Sequence, residues 1–226
     1  MFRKLAVAAV AVSVLAAAGP AAASTNLLVN GDFEDGVVGG AYDHYQSGIP
    51  VGWTFGFDVV DVIENGYYQG ADPALAVLLT AQSGTHFADM NGAGSTGIIN
   101  QIVTGLAAGD AVELSLWTGQ WAQNSHAGVT WSLYDGVTDA LLASGNANTD
   151  GTPWTRHTLS AVVGGSGSVR VELAGLATYQ AGSGVDNVRL SLAGDVPEPT
   201  VWGLMIVGFG GIGAMLRRRR EAAVPA

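Results

Sequence analysis

The chain has 226 residues, no cysteine and a formal net charge of −10. The missing thiols exclude disulfide staples, thiolate metal sites and cysteine nucleophiles. Between residues 24 and 200, eighteen acidic side chains stand against three arginines (Arg156, Arg170, Arg189) and no lysine, a net charge of −15. A surface of that sign repels nucleic acid and anionic lipid headgroups.

Residues 1–23 have the layout of a secretory signal peptide. Arg3 and Lys4 form a positive start, an apolar Ala/Val/Leu stretch follows over residues 5–18, and Ala21, Ala22 and Ala23 offer small residues for cleavage before Ser24. Signal peptidase is the partner this implies, with the middle of the chain outside the cytoplasm.

Residues 24–195 read as one exported all-β domain. Asn-Gly pairs at Asn30-Gly31, Asn65-Gly66 and Asn91-Gly92 mark turns. Alternation of apolar and polar residues predicts half-buried strands at residues 112–116, 129–134, 169–173 and 188–192. Further strands are expected near residues 53–57, 59–63, 76–80, 86–90, 98–103, 141–143 and 155–163. Residues 74–79 also fit a helical turn. The GGSGS run at residues 164–168 reads as a hairpin loop. About ten short strands with turn-rich links predict a two-sheet sandwich or jelly roll.

Three motifs sharpen that expectation. They are residues 26–34 (NLLVNGDFE) with Pro50-Val51-Gly52-Trp53, residues 97–103 (GIINQIV), and residues 185–190 (VDNVRL). In this order they resemble galactose-binding-like jelly rolls, which include carbohydrate-binding module families and DUF642-type domains. The resemblance implies a structural calcium ion held by Glu34 and Asp186, with Asp32 as an added ligand. The chain departs from the family pattern at Asn187, where a second Asp often stands. Hard oxygen ligands suit Ca²⁺; the alternative is that Asp32 and Glu34 decorate a turn and Asp186 caps a strand.

Sugar binding uses exposed aromatic rings, whose faces meet the C–H face of a pyranose while amides and carboxylates take its hydroxyls. The candidates are Trp117, Trp121, Tyr67 and Tyr68, with Tyr42, Tyr45 and Trp154 beside them; Trp53 and Trp131 sit in strand patterns and read as core. The histidines (His44, His86, His126, His157) lack metal-ligand spacing, and no GxSxG or phosphate-cradling motif is present. No catalytic residues are assigned.

The tail, residues 196–220, carries a Pro-Glu-Pro triplet (Pro197, Glu198, Pro199), an uncharged apolar run over residues 201–216, and Arg217, Arg218, Arg219 and Arg220. Sixteen helical residues span roughly 24 Å, which with Trp202 and the arginines anchoring at the two interfaces predicts a single transmembrane helix. The basic end, with residues 221–226, is expected in the cytoplasm. The tail resembles the PEP-CTERM sorting signal of Gram-negative bacteria, matched also at Met205, Gly208, Phe209 and Gly213. That resemblance implies an exosortase-type membrane protease as partner, a membrane-tethered intermediate, and release at the cell surface. The expected function is a non-catalytic module binding glycan or exopolysaccharide. The alternatives are a polysaccharide-acting hydrolase and a purely structural surface protein.

Overall fold

A computed structural model of the chain describes residues 25–37, 45–58, 60–66, 79–91, 96–122, 128–176 and 182–193, all inside one compact unit, Ser24–Asp195. The signal peptide and the whole sorting tail, including the expected transmembrane helix, lie outside the described residues. Among the described residues no helix is long and apolar enough to cross a membrane.

The described residues form an all-β sandwich of eleven strands in two antiparallel sheets. The strands are β1 (Tyr45–Gly48), β2 (Thr54–Phe57), β3 (Val60–Glu64), β4 (His86–Asp89), β5 (Ile98–Thr104), β6 (Ala111–Gln120), β7 (Gly128–Asp135), β8 (Leu141–Asn148), β9 (Thr155–Val162), β10 (Ser168–Gly175) and β11 (Ser183–Leu192). One sheet has the order β1-β3-β4-β11-β6-β9 and the other β2-β5-β10-β7-β8. Apart from the β3–β4 and β7–β8 pairs, consecutive strands alternate between the sheets, as a jelly roll requires.

Period-two alternation builds the core. Val112, Leu114 and Leu116 on β6, with Val188 and Leu190 on β11, face Ile99, Val129, Leu133, Val169, Val171 and Leu173 of the other sheet, all buried. Trp53 and Trp131 are core residues, as their patterns predict. The GGSGS run joins β9 to β10, which belong to different sheets; it is a crossover and not a hairpin loop. Ser166 Oγ donates to Asp135 Oδ2 (2.8 Å) and pins that crossover to the end of β7. The strand expected over residues 76–80 falls mostly outside the described residues, and Leu79 and Thr80 lie in a loop.

The N-terminal motif is a plug. Phe33 is fully buried and stacks on Trp53 (centroids 5.9 Å). Trp53 Nε1 donates to the Asn30 carbonyl (3.1 Å), and Asn30 Nδ2 donates to the Val51 carbonyl (2.9 Å). Gln101, the glutamine of the GIINQIV strand, exchanges two hydrogen bonds with the backbone of Val29, at 2.8 and 3.0 Å. Asn26 bonds Val188 and Leu190 of β11. Register along β11 and β6 shifts between Asp186 and Arg189. The extra residue is Asn187, at φ 48°, a left-handed position that Asn tolerates better than most residues. The Val188 N–H then reaches the Gly31 carbonyl at 2.7 Å.

Candidate functional site

The outer face of the six-stranded sheet holds most of the chain's unusual chemistry. Trp117 and Gly119 on β6, and Trp121 just past its end, point away from the sandwich core, opposite in parity to Leu114 and Leu116. Gly119 pairs with Gly184 of β11, and Gly184 pairs with Asp89 of β4. These two glycines leave a flat floor. A Cβ at Gly184 would lie 2.9 Å from the Trp154 ring, and one at Gly119 would lie 2.8 Å from Leu79. Trp154 therefore lies on the sheet at close range. Its Nε1 donates to the Thr80 carbonyl (2.7 Å), and its ring meets Phe87 edge-on (centroids 5.7 Å). Phe87 also contacts Trp121 (5.9 Å).

Ile63, Phe87, Trp121 and Ala122 make a second small core on this outer face, with Trp154 and Ala81 packed against it. The expectation of Trp121 as an exposed sugar-stacking ring is corrected here. It is only 2 % exposed, because the loop of residues 79–85 and Trp154 cover it. Trp117 remains half-exposed. Its cross-strand neighbours are Arg156 on the edge strand β9 and Asp186 on β11. Trp154, also half-buried, lies over Gly119 and Gly184, the first of which is two residues along β6 from Trp117. Exposed Thr158 and Ser160 continue the polar border, and Arg156 approaches Glu113 at 3.9 Å. Tyr67, Tyr68 and Tyr42 lie outside the described residues. Tyr45 pairs with Ile63 at the other edge of the sheet.

At the far end of the glycine floor two carboxylates meet. Asp61 on β3 and Asp89 on β4 are register partners, 4 % and 0 % exposed. Asp89 Oδ1 accepts the backbone N–H groups of Gly182 (2.8 Å) and Asn91 (3.0 Å), and the Trp121 indole is beside it. Burial, and then the charge of Asp61, push the Asp89 carboxyl up to about 8. At neutral pH it is protonated and can donate a hydrogen bond. A reading of the sequence by alternation places polar strand residues in solvent and so passes over this pair.

The residues assigned to calcium sit at the other border. Glu34 and Asp186 converge on the loop of residues 82–86. Glu34 Oε1 accepts the N–H groups of Thr85 (2.7 Å) and His86 (2.8 Å), while Oε2 accepts Thr85 Oγ1–H (2.9 Å) and His86 Nδ1–H (2.8 Å). Burial opposes ionisation, but the bonds from His86 and Thr85 win and hold the Glu34 carboxyl below its ordinary value. Asp186 Oδ2 accepts from Gln82 (2.8 Å) and Ser83 (2.9 Å), and Oδ1 from Asn187. Burial pushes the Asp186 carboxyl up to about 7 against those three bonds. Asp32 is exposed on its turn. Ca²⁺ takes six to eight oxygen ligands. Of the four acceptor positions on each carboxylate, Glu34 has four filled and Asp186 three, all by N–H or O–H donors. This donor set does not fit a cation. Among the described residues no group of three or more His, Cys, Asp or Glu side chains is placed to hold a metal ion.

The opposite surface, the outer face of the five-stranded sheet, is a polar ladder in which Thr54, Asn100, Glu172, Ser132 and Ser144 are register partners. Arg170 lies over the Tyr134 ring (4.2 Å) and pairs with Asp139 and Glu172. Phe55 and Phe57 are more than half exposed on the edge strand β2.

Among solved structures the chain is similar to a CBM61 module in complex with β-1,4-galactotriose, at 14% identity over 75% of this chain and 99% of that one, with a TM-score of 0.48. It is similar to the CBM22-1 xylan-binding domain of Paenibacillus barcinonensis Xyn10C, at 16% identity over 75% and 96%, with a TM-score of 0.43. A CBM4 structure matches at 14% identity over 73% and 99%, with a TM-score of 0.40. No curated protein matches in sequence. Residues 195–220 match the PEP-CTERM protein-sorting motif, so this β-sandwich carries the sorting tail of an exported protein destined for the cell envelope or surface.

Proposed function

We propose that the domain is a non-catalytic glycan-binding module displayed on the bacterial surface or in its exopolysaccharide matrix. The observation that carries this reading is that Trp117 and Trp154 are each only partly buried on the outer face of the six-stranded sheet. A ring lying along a sheet offers its face to the C–H side of a sugar, and Arg156, Glu113, Thr158 and Ser160 stand within reach of hydroxyls. The sorting tail supports the same reading, since it brings the module to where polysaccharide is. Exosortase processing of the Pro-Glu-Pro segment, after signal peptidase has removed the leader, is the route we propose.

The hydrolase reading has one feature in its favour, the Asp61–Asp89 pair. Carboxylate spacing near 5 Å is that of retaining glycosidases, and directly opposed strand residues have Cβ atoms about that far apart. Both groups are closed to solvent, however, with 4 % and 0 % exposure. A glycosidic bond has no approach to them, and the pair acts within the fold.

The test is affinity electrophoresis of the full-length chain through a panel of neutral and acidic polysaccharides, repeated with Trp117→Ala and Trp154→Ala. Retardation that the substitutions abolish supports the assignment. Retardation unchanged in both variants places binding elsewhere, and no retardation with any polysaccharide favours a structural surface protein. Release of reducing sugar would restore the hydrolase.

A further inference from the structure

We infer that the loop of residues 82–86 is clasped by Glu34 and Asp186 acting as acceptors of backbone N–H groups, so that this domain holds its outer-face loop without a divalent cation. Calcium cross-links loops by drawing several oxygens inward; here two carboxylates draw in hydrogens. Asp186 takes the N–H groups of Gln82 and Ser83, and Glu34 takes those of Thr85 and His86. Gly84 sits between the two pairs at φ 64°, and a Cβ there would lie 2.2 Å from Glu34 Oε1. The clasp therefore needs glycine at its centre for two reasons, handedness and room.

His86 supplies a side-chain donor to Glu34. Its Nδ1 lies 2.8 Å from Glu34 Oε2, with the His86 side chain 13% exposed and Glu34 31%. Asn187 adds a side-chain bond, Nδ2 to Gln82 Oε1 at 3.0 Å. The neutral side chain at 187 is therefore used as a donor. An aspartate there would present a carboxylate to the Gln82 amide oxygen and lose that bond. An incoming cation would meet N–H or O–H hydrogens on seven of the eight acceptor positions.

The clasp also has a reach. The same loop continues back to Thr80, whose carbonyl holds the Trp154 indole, and to Leu79 over Gly119. Closing the loop thus sets Trp154 on the sheet. The consequence for ligand binding rests on the glycan reading above; the metal independence does not.

The experiment is thermal unfolding of the full-length chain in excess EGTA and in millimolar CaCl₂, for wild type, Glu34→Gln and Asp186→Asn. The expected result is one wild-type Tm in both buffers, with each substitution lowering it by roughly 3–8 °C in both, since each puts an NH2 group where a carboxylate oxygen accepts N–H groups. A wild-type Tm that chelator lowers, or that calcium raises and Asp186→Asn no longer shows, overturns the inference. Substitutions that leave Tm unchanged in both buffers also overturn it, because the carboxylates would then hold nothing. Polysaccharide retardation measured in the same two buffers separates the ideas: coincident melts without retardation remove only the glycan assignment.

Discussion

Asp61 and Asp89 stand directly opposite one another on β3 and β4, both shut off from solvent, with the Asp89 carboxyl raised to about 8. Two negative charges cannot be held there together at neutral pH, so the pair keeps a proton.

This makes stability depend on pH with a definite sign. Asp89 and Asp186 titrate near 3.8 when unfolded and at about 8 and about 7 in the fold. Between these values the folded chain holds protons that the unfolded chain has released, so stability falls as pH rises from about 4 to about 8 and then levels. Asp135 acts oppositely: hydrogen bonds from Thr138, Ser166 and Val137 hold it down to about 2, and its contribution is lost as pH falls below about 4. Tm should therefore be highest near about pH 4–5. Asp89→Asn, an isostere of the protonated acid, should flatten the decline between about pH 5 and 8, and a Tm series for the two proteins checks it. An undiminished slope in the variant would assign the effect to Asp186.

Trp117 is half-exposed between Arg156 and Asp186. Trp117→Ala should weaken polysaccharide binding by about two- to twelvefold, the scale of one lost ring contact of roughly 0.5–1.5 kcal/mol. Its Tm should fall by no more than a few degrees. Affinity electrophoresis and a melting curve on the same preparation separate a lost contact from a lost fold.

Gly184 has no room for a side chain, since a Cβ would lie 2.9 Å from the tip of the Trp154 ring and 3.3 Å from the Gly119 carbonyl. Gly184→Ala should lift Trp154 off the sheet at a cost of about 1–3 kcal/mol, the usual range for overpacking. The tryptophan emission of the folded protein should shift to the red. Emission identical to wild type would show that the ring does not depend on the glycine floor.

Gly31 meets backbone and not a flexible side chain: a Cβ there would come within 2.0 Å of the Val188 carbonyl oxygen. Gly31→Ala must push the plug away from the β11 bulge and should destabilise by about 3 kcal/mol or more. Urea unfolding of the full chain measures this directly, and a midpoint close to wild type would refute the close approach.

The strands were legible because alternation records which residues face the sandwich interior. Leu114, Leu116, Val169, Val171 and Leu190 all lie where period two puts them. The same alternation says nothing about whether the other face is covered. Trp117 on β6 and Trp121 just past its end share a parity, yet one is half-buried and the other fully buried, because a loop from much earlier in the chain packs on Trp121. Asp61 and Asp89 were hidden for the same reason. The edge strand β1 carries no alternating apolar pattern, and the GGSGS crossover has the composition of a hairpin loop; both depend on which sheet receives the next strand. The roles of Glu34 and Asp186 could be anticipated as a meeting of the chain's two ends, whereas the N–H groups that occupy them come from a loop with no distinguishing residue types.

The order of strands has a consequence for how the chain leaves the cell. β11, the last of the described strands, sits in the middle of the six-stranded sheet between β4 and β6, and residues 26–27, from the start of the domain, bond to it. Until Ser183–Leu192 emerges, β4 and β6 are two open edges with no partner between them. The sorting motif begins at residue 195, three residues after that strand ends. Completion of the sheet and emergence of the sorting motif are therefore only a few residues apart in synthesis, and a chain cut short before the motif by more than those few residues is also one whose sheet is still in two halves.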